Sequence, residues 1–377
     1  MQWSIRNLLN PVIARCLIYG VNPFDLEFVL RKMEEKPLLN ARMFDDTWMS
    51  EWEKKAQHFI SLAEEERKKE NMISVSDYYT LAARCYYACY LLNSDLVENK
   101  KEVYKKLAFC YRESILNANR RVKEVEIPFK GTTKLPAYLH LPDESKFHAP
   151  YSCVVMFTGF GSCKEELEVE TQPLVERGVA VLAVDMPGTG DALFQYDIKL
   201  RADNIEYGID QLMTYCKEEA LIDENKLGTF GLCMGGGFAY RAAAKYSNVK
   251  CCVNLFPLFL SMVERDNIPR WMRQGRWATY QMGDISTDDF IQEISVIAEG
   301  NVSCSYLLVH SVYDNWMELE KTQSIYDKST GDKQEIAIED EPVYATKESV
   351  MHAMPVGEQM HWIKRKAADY CVQAFRK

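Results

Sequence analysis

The chain has 377 residues, 47% hydrophobic and 27% charged, which excludes an intrinsically disordered protein and fits one large domain with an appendage. Its 45 Lys and Arg against 55 Asp and Glu leave a net charge of −10, the wrong sign for a general nucleic-acid or anionic-membrane binder. No apolar run reaches the roughly 18–20 residues that span a bilayer; the longest, Cys251 to Val263, contains Asn254 and Pro257.

The N-terminal stretch is interrupted by Arg6, Asn10, Pro11 and Arg15, so it lacks the unbroken apolar core of a signal peptide. The 12 cysteines form no Cys-x-x-Cys pair, and most sit in apolar runs, as Cys85, Cys89, Cys110, Cys153, Cys251, Cys252 and Cys304 do. That usage reads as reduced thiols in a cytoplasmic protein.

Up to about Asn119 the pattern is helical. Trp48, Trp52, Ala56, Phe59, Ile60 and Ala63 recur at three- and four-residue spacing with charged residues between them. Ser76 before Asp77 reads as the N-cap of a second helix, rich in tyrosine (Tyr78, Tyr79, Tyr86, Tyr87, Tyr90) and in small residues that allow close approach. A third runs from about Leu96 to Leu116. The short connections predict antiparallel packing, and no 34-residue self-similarity supports a tetratricopeptide array. Residues 1–120 are therefore expected to form a helical region, a cap or a partner-binding bundle.

From about Val122 the rhythm changes. VKEVEIPFKG and LPAYLHLP read as an antiparallel pair, and CVVMFTG, VAVLAVDMPG, KLGTFG, CCVNLF, SYLLVHS and QEIAIED follow as strands between amphipathic helices. That alternation specifies an α/β domain over residues 121–377, a mostly parallel twisted sheet with helices on both faces, closed by a helix from about Gly357 to Phe375.

The sharpest motif is Gly231-Leu232-Cys233-Met234-Gly235, between a strand ending at Phe230 and an Ala-rich helix. It has the Gly-x-nucleophile-x-Gly form of a nucleophile elbow, with Cys at the centre. Glycine on either side removes Cβ atoms that would clash with the tight turn, and the helix N-terminus favours thiolate over thiol. A nucleophile there needs an acid and then a histidine later in the chain. Asp314, just past the SYLLVHS strand, is the candidate acid, ahead of Glu339 and Asp340. Of six histidines, His352, in the loop before the final helix, is preferred as the base over His361, which lies within that helix. His310 is read as a structural residue bonding its own loop. The oxyanion hole is assigned to the backbone N–H groups of Met234 and of Phe160, in the loop Thr158-Gly159-Phe160-Gly161.

Asp185 to Asp191 contains Gly188-x-Gly190 but neither dinucleotide nor P-loop pattern, so it is read as a turn bordering the site, and no cofactor or metal is expected. Met262, Trp271, Met272, Trp277, Tyr280 and Met282 supply a pocket lining or, more simply, packing. Glu264 and Arg265 are read as a surface ion pair, with a place at the pocket mouth as the alternative.

These residues together resemble the α/β-hydrolase superfamily, and within it the FrsA-like group that includes 2,6-dihydroxypseudooxynicotine hydrolase. The resemblance rests on the N-terminal helical region, the Thr158–Gly161 loop followed by Lys164-Glu165-Glu166, the Asp185-x-Pro187-Gly188-x-Gly190 turn, the elbow and His310…Asp314. It implies Cys233 as nucleophile, Asp314 and His352 as its partners, the helical region as a cap, and hydrolysis of esters or of carbon–carbon bonds beside a ketone. Cys233 departs from the usual Ser; similar cysteine elbows occur in dienelactone hydrolases, polyhydroxyalkanoate synthases and SyrC-like aminoacyl shuttles. The expectation is an acyl-S-Cys233 enzyme that moves an acyl group from an ester or thioester to a thiol, amine or alcohol. Two alternatives stand beside it: hydrolysis of a small ester, lactone or β-diketone, and a non-catalytic binding protein on the same scaffold. The expected partner is a small acyl substrate, free or on a carrier-protein or coenzyme thiol, with Arg270 to Arg276 as a docking patch; no nucleic acid or membrane is expected, and a homodimer is compatible with the sequence.

Overall fold

A computed structural model describes the chain except residues 1–4, 36–40, 93–96, 119, 265–275, 296–298, 315–316 and 341–357. The chain divides into two compact units at Arg120 and Arg121.

The first unit is helical: α1 (Ile5–Ile18), α2 (Pro23–Glu34), α3 (Ala41–Lys68), α4 (Met72–Leu92) and α5 (Val97–Asn117). Asn22 caps α2, its Oδ1 accepting from the N–H of Phe24 at 2.8 Å, and Pro23 opens the helix where no N–H is needed. Helix α4 lies between α3 and α5 and is buried on most of its circumference, including Tyr79, Tyr86, Tyr87 and Tyr90. Its neighbours supply polar partners at specific points: Trp48 Nε1 donates to the Ala88 carbonyl at 2.8 Å, and Gln57 Nε2 donates to the Tyr86 hydroxyl at 2.7 Å. Ser76 is not an N-cap. It sits in the second turn of α4, buried, and its hydroxyl donates to the Ser114 carbonyl of α5 at 2.8 Å. The helix starts four residues before it, at Met72, and its first buried side chain is Val75.

The second unit contains an eight-stranded sheet of order β1-β2-β4-β3-β5-β6-β7-β8. The strands are β1 (Arg121–Pro128), β2 (Lys134–Leu141), β3 (Tyr151–Phe157), β4 (Ala180–Val184), β5 (Ile222–Leu232), β6 (Val249–Leu255), β7 (Ser305–Ser311) and β8 (Lys333–Ile338). The pairs β1–β2 and β2–β4 are antiparallel; every other pair is parallel. Helices cover both faces, so β4, and β3 from Cys153 onward, are unbroken apolar runs with no solvent-facing alternate. Cys153, Val155 and Phe157 face the core shared with α8 (Ala202–Glu218), which follows the short α7 (Gly190–Phe194), and α9 (Met234–Lys245). Met156 points the other way, where Thr171 of α6 (Glu168–Val175) donates its hydroxyl to the sulfur at 3.8 Å. The C-terminal helix Glu358–Arg376 packs beside α6. The parallel strands send their carboxyl ends to one edge, so Phe157, Leu232, Leu255 and Ser311 deliver their loops to the same side. No helix among the described residues is long and apolar enough to cross a membrane.

Candidate active site

Strand β5 runs two residues past Phe230, to Leu232, and α9 begins at Met234, so Cys233 alone makes the turn. It does so at φ 53° and ψ −125°, a conformation that an L-residue adopts only under constraint. The constraint is hydrogen bonding on both sides: its N–H donates to the Leu255 carbonyl at 3.1 Å, and its carbonyl accepts from Gly236 at 2.9 Å and Leu258 at 2.8 Å. The flanking glycines are steric requirements. A Cβ on Gly231 would lie 2.0 Å from the Gly235 carbonyl oxygen, and one on Gly235 would lie 2.3 Å from that of Phe157. Cys233 is half-buried.

The loop after β3 passes directly over the thiol. A Cβ built on Gly159 would stand 3.1 Å from Cys233 Cβ and 3.6 Å from its Sγ. Phe160 follows, and its side chain lines a narrow apolar cleft together with Met234, Leu258, Leu260, Met282 and Phe290. Both residues assigned to the oxyanion hole therefore border one apolar cleft. Of the aromatic and methionine group expected near it, Met282 lines the cleft, while Trp277 is buried and stacks on Phe194 with centroids 5.4 Å apart. Trp271, Met272, Arg265 and most of the Arg270–Arg276 patch lie outside the described residues. Glu264 forms an ion pair with Lys321 at 2.5 Å on the surface.

Asp314 stands on the turn after β7, half-buried, with Oδ1 accepting from the N–H of Met317 at 3.2 Å. Strands β5 and β7 flank β6, so their carboxyl ends are two strand spacings apart, about 10 Å. His352 lies outside the described residues. His361 is exposed on the C-terminal helix and hydrogen-bonds Arg365 one turn on. His310 does not bond its own loop: its Nε2 meets Glu335 Oε1 on β8 at 2.6 Å. The register explains it, since His310 pairs with Ala337 and Glu335 shares Ala337's face.

The loop carrying Phe160 is anchored by a buried charge cluster that no sequence pattern made explicit. Lys164 Nζ meets Glu165 at 2.8 Å, Asp185 at 2.9 Å and Asp191 at 2.7 Å. Asp185 also accepts the backbone N–H groups of Lys164 at 2.7 Å and Asp191 at 2.9 Å. The Asp185–Asp191 turn thus ties the loop after β4 to the loop after β3, more than bordering the site. Burial pushes the Glu165 carboxyl up to about 7, against the pull of Lys164, and raises that of Asp185 as well. The available signal was the pairing of Lys164-Glu165, after β3, with two aspartates in the segment that follows β4. Among the described residues no group of three His, Cys, Asp or Glu side chains could hold a metal ion.

A sheet of this order, with a strained strand–turn–helix at the end of β5, defines the α/β-hydrolase fold. The crystal structure of 2,6-dihydroxy-pseudo-oxynicotine hydrolase shares it, with a TM-score of 0.75 at 16% identity over 96% of this chain and 95% of that one. A family model described as esterase FrsA-like matches residues 40–273, more than half of the chain, and the protein belongs to that family. Among curated relatives, 20-hydroxy-prefusarin hydrolase of Gibberella moniliformis is 29% identical over 63% of this chain and 58% of its own. Hydrolase ORFZ of Pyricularia oryzae is 28% identical over 56% and 53%, and esterase FrsA of Photobacterium profundum 22% identical over 67% and 62%. The chain matches less than two thirds of the length of each of these relatives.

Proposed function

We propose that this protein is a hydrolase working through an acyl-S-Cys233 intermediate. The observation that carries the reading is Cys233 held at positive φ on the turn between β5 and α9, beside the Gly159–Phe160 backbone and an apolar cleft. His352, oriented by Asp314, takes the thiol proton, and the sulfur attacks an acyl carbon. The N–H groups of Met234 and Phe160 hold the oxyanion, and the N-terminus of α9 supports the thiolate. As the carbon–oxygen bond breaks, the leaving alkoxide takes the proton from His352. Water, deprotonated by the same histidine, then releases the acid and restores the thiol. The names of the relatives as hydrolases and esterases favour water as the acceptor, with an ester, lactone or ketone-activated carbon–carbon bond as substrate class.

The thiol in place of the usual hydroxyl favours a second reading, transfer of the acyl group to a thiol, amine or alcohol, because thioesters react readily with such nucleophiles. A cytoplasmic small-molecule acyl donor, free or carried on a coenzyme or carrier-protein thiol, fits that reading, although the net charge of −10 disfavours an acidic carrier.

The test is intact-protein mass spectrometry after exposure to activated esters and acyl thioesters, with Cys233→Ala in parallel. A mass increase confined to the native chain and decaying in water supports hydrolysis; one that persists until a thiol or amine is added supports transfer. No adduct and no turnover across the panel would overturn both in favour of a binding scaffold.

A further inference from the structure

Behind the apolar cleft lies a second, much smaller one, with room for about one water-sized group, and the two share the side chains of Leu260 and Ile294 as a common wall. The second cleft differs chemically. Glu299 lines it and is 7% exposed; one carboxyl oxygen accepts from the Ser261 hydroxyl at 2.9 Å and its backbone N–H at 3.4 Å. The other oxygen, Oε2, is buried and has no hydrogen-bond partner among the described residues. Such an atom costs free energy in the empty protein that a ligand group can recover.

The clefts follow one another along α9. Met234 borders the first and Gly237, Phe238 and Arg241 border the second, so the distance between their walls along the helix axis is about 10 Å at most. An acyl chain starting at Cys233 and filling the first cleft ends against Leu260 and Ile294, with Glu299 on their far side. We propose that Glu299 is a specificity-determining residue and that the preferred substrate carries a neutral hydroxyl group on the far end of its acyl chain, bonded to Oε2. The proposal rests on reading the first cleft as the acyl pocket.

A hydroxyl fits better than a charged group. It donates to an ionised carboxylate and accepts from a protonated one, and burial raises the Glu299 pKa, so a ligand able to do both loses nothing with protonation state. A ligand cation would face the Arg241 guanidinium, which lines the same cleft and donates to Glu206 at 2.8 Å. A ligand anion would face the Glu299 carboxyl.

Binding can be measured without chemistry in the Cys233→Ala protein by calorimetry. The probes are ethyl esters of straight-chain acids from about four to about ten carbons, each paired with its ω-hydroxy counterpart, a range set by the length of α9 between the clefts. At the chain length that reaches Glu299, the hydroxylated ester is expected to bind about tenfold more tightly than the plain one, the scale of one recovered buried hydrogen bond. Glu299→Leu removes that preference without weakening the plain ester, and Glu299→Gln, which keeps an oxygen for Ser261 and a polar atom for the ligand, retains most of it. Equal affinity for the paired esters at every length, or a preference that survives Glu299→Leu, overturns the proposal. A merely structural role for Glu299 weakens both esters alike in the variants. Because Cys233 is absent throughout, failure of the acyl-enzyme reading appears in the mass-spectrometric experiment and not here.

Discussion

At the scale of single residues, Cys233 combines a strained backbone with a position beneath the Gly159–Phe160 loop, whereas other thiols serve as packing. Burial pushes Cys85, Cys110 and Cys304 up to about 12, which makes them poor nucleophiles at neutral pH. Brief treatment of the native protein with iodoacetamide is therefore expected to add one label, at Cys233, and none in Cys233→Ala; uniform labelling of several cysteines would remove the basis for singling it out. The same substitution is expected to lower turnover at least about 10⁴-fold while leaving the unfolding midpoint nearly unchanged, as loss of a nucleophile does. Gly235→Ala makes the opposite trade. Its Cβ would lie 2.3 Å from the Phe157 carbonyl oxygen, so either β3 or α9 must move, and a loss of about 1–3 kcal/mol in urea unfolding is expected alongside lost activity. The elbow was legible from its Gly-x-Cys-x-Gly spacing: Gly231 is dictated by Gly235 four residues on, whereas the contact of Gly235 with Phe157 of β3 exists only in the fold. The role of Glu299 was not, since an unpartnered oxygen exists only once Ser261 and α9 have closed around it.

At the scale of elements, periodicity located the strands and the helix faces, while their ends were decided by neighbours. The α4 helix begins at Met72, ahead of its first buried side chain at Val75, and the serine that looked like a cap instead bridges to α5. Ser76→Ala is accordingly expected to cost about 1 kcal/mol, measured by urea unfolding, from one buried hydrogen bond lost, while the Ser114 carbonyl keeps the Ala118 N–H at 3.1 Å. In the α/β unit, β5 outran its apparent end by two residues because Gly231 and Leu232 still pair with β6. His310 likewise found its partner on β8, a contact that register alone creates.

At the scale of the whole molecule, the Lys164 cluster joins the loop after β3 to the turn after β4 and gives stability a pH dependence. The Glu165 carboxyl is pushed up to about 7 from an ordinary 4.5, so the folded state keeps a proton that the unfolded chain gives up. Its contribution is complete below the unfolded value and is lost as pH rises through about 7. Between about pH 5 and pH 8 the melting temperature of the native protein is expected to fall relative to that of Glu165→Gln, an effect of about 1–3 kcal/mol. Parallel pH dependence in the two proteins would place the proton elsewhere in the cluster. The 12 cysteines are all free thiols, so a reductant is expected to leave the melting temperature unchanged.

The sequence by itself determined the two kinds of architecture, the change between them near Arg121, the order of strands and helices, and the elbow with its Cys nucleophile candidate. These are local properties: hydrophobic period, turn chemistry and steric exclusion act over a few residues. Only the tertiary structure decided that the loop after β3 lies over Cys233, that Phe160 and Met234 share one apolar cleft, that Lys164 gathers three carboxylates, and that Glu299 closes a second cleft with one oxygen unpaired. Each of those depends on groups far apart in the chain meeting in a medium from which water is excluded, where distance and desolvation, neither of them written in any single segment, set the chemistry.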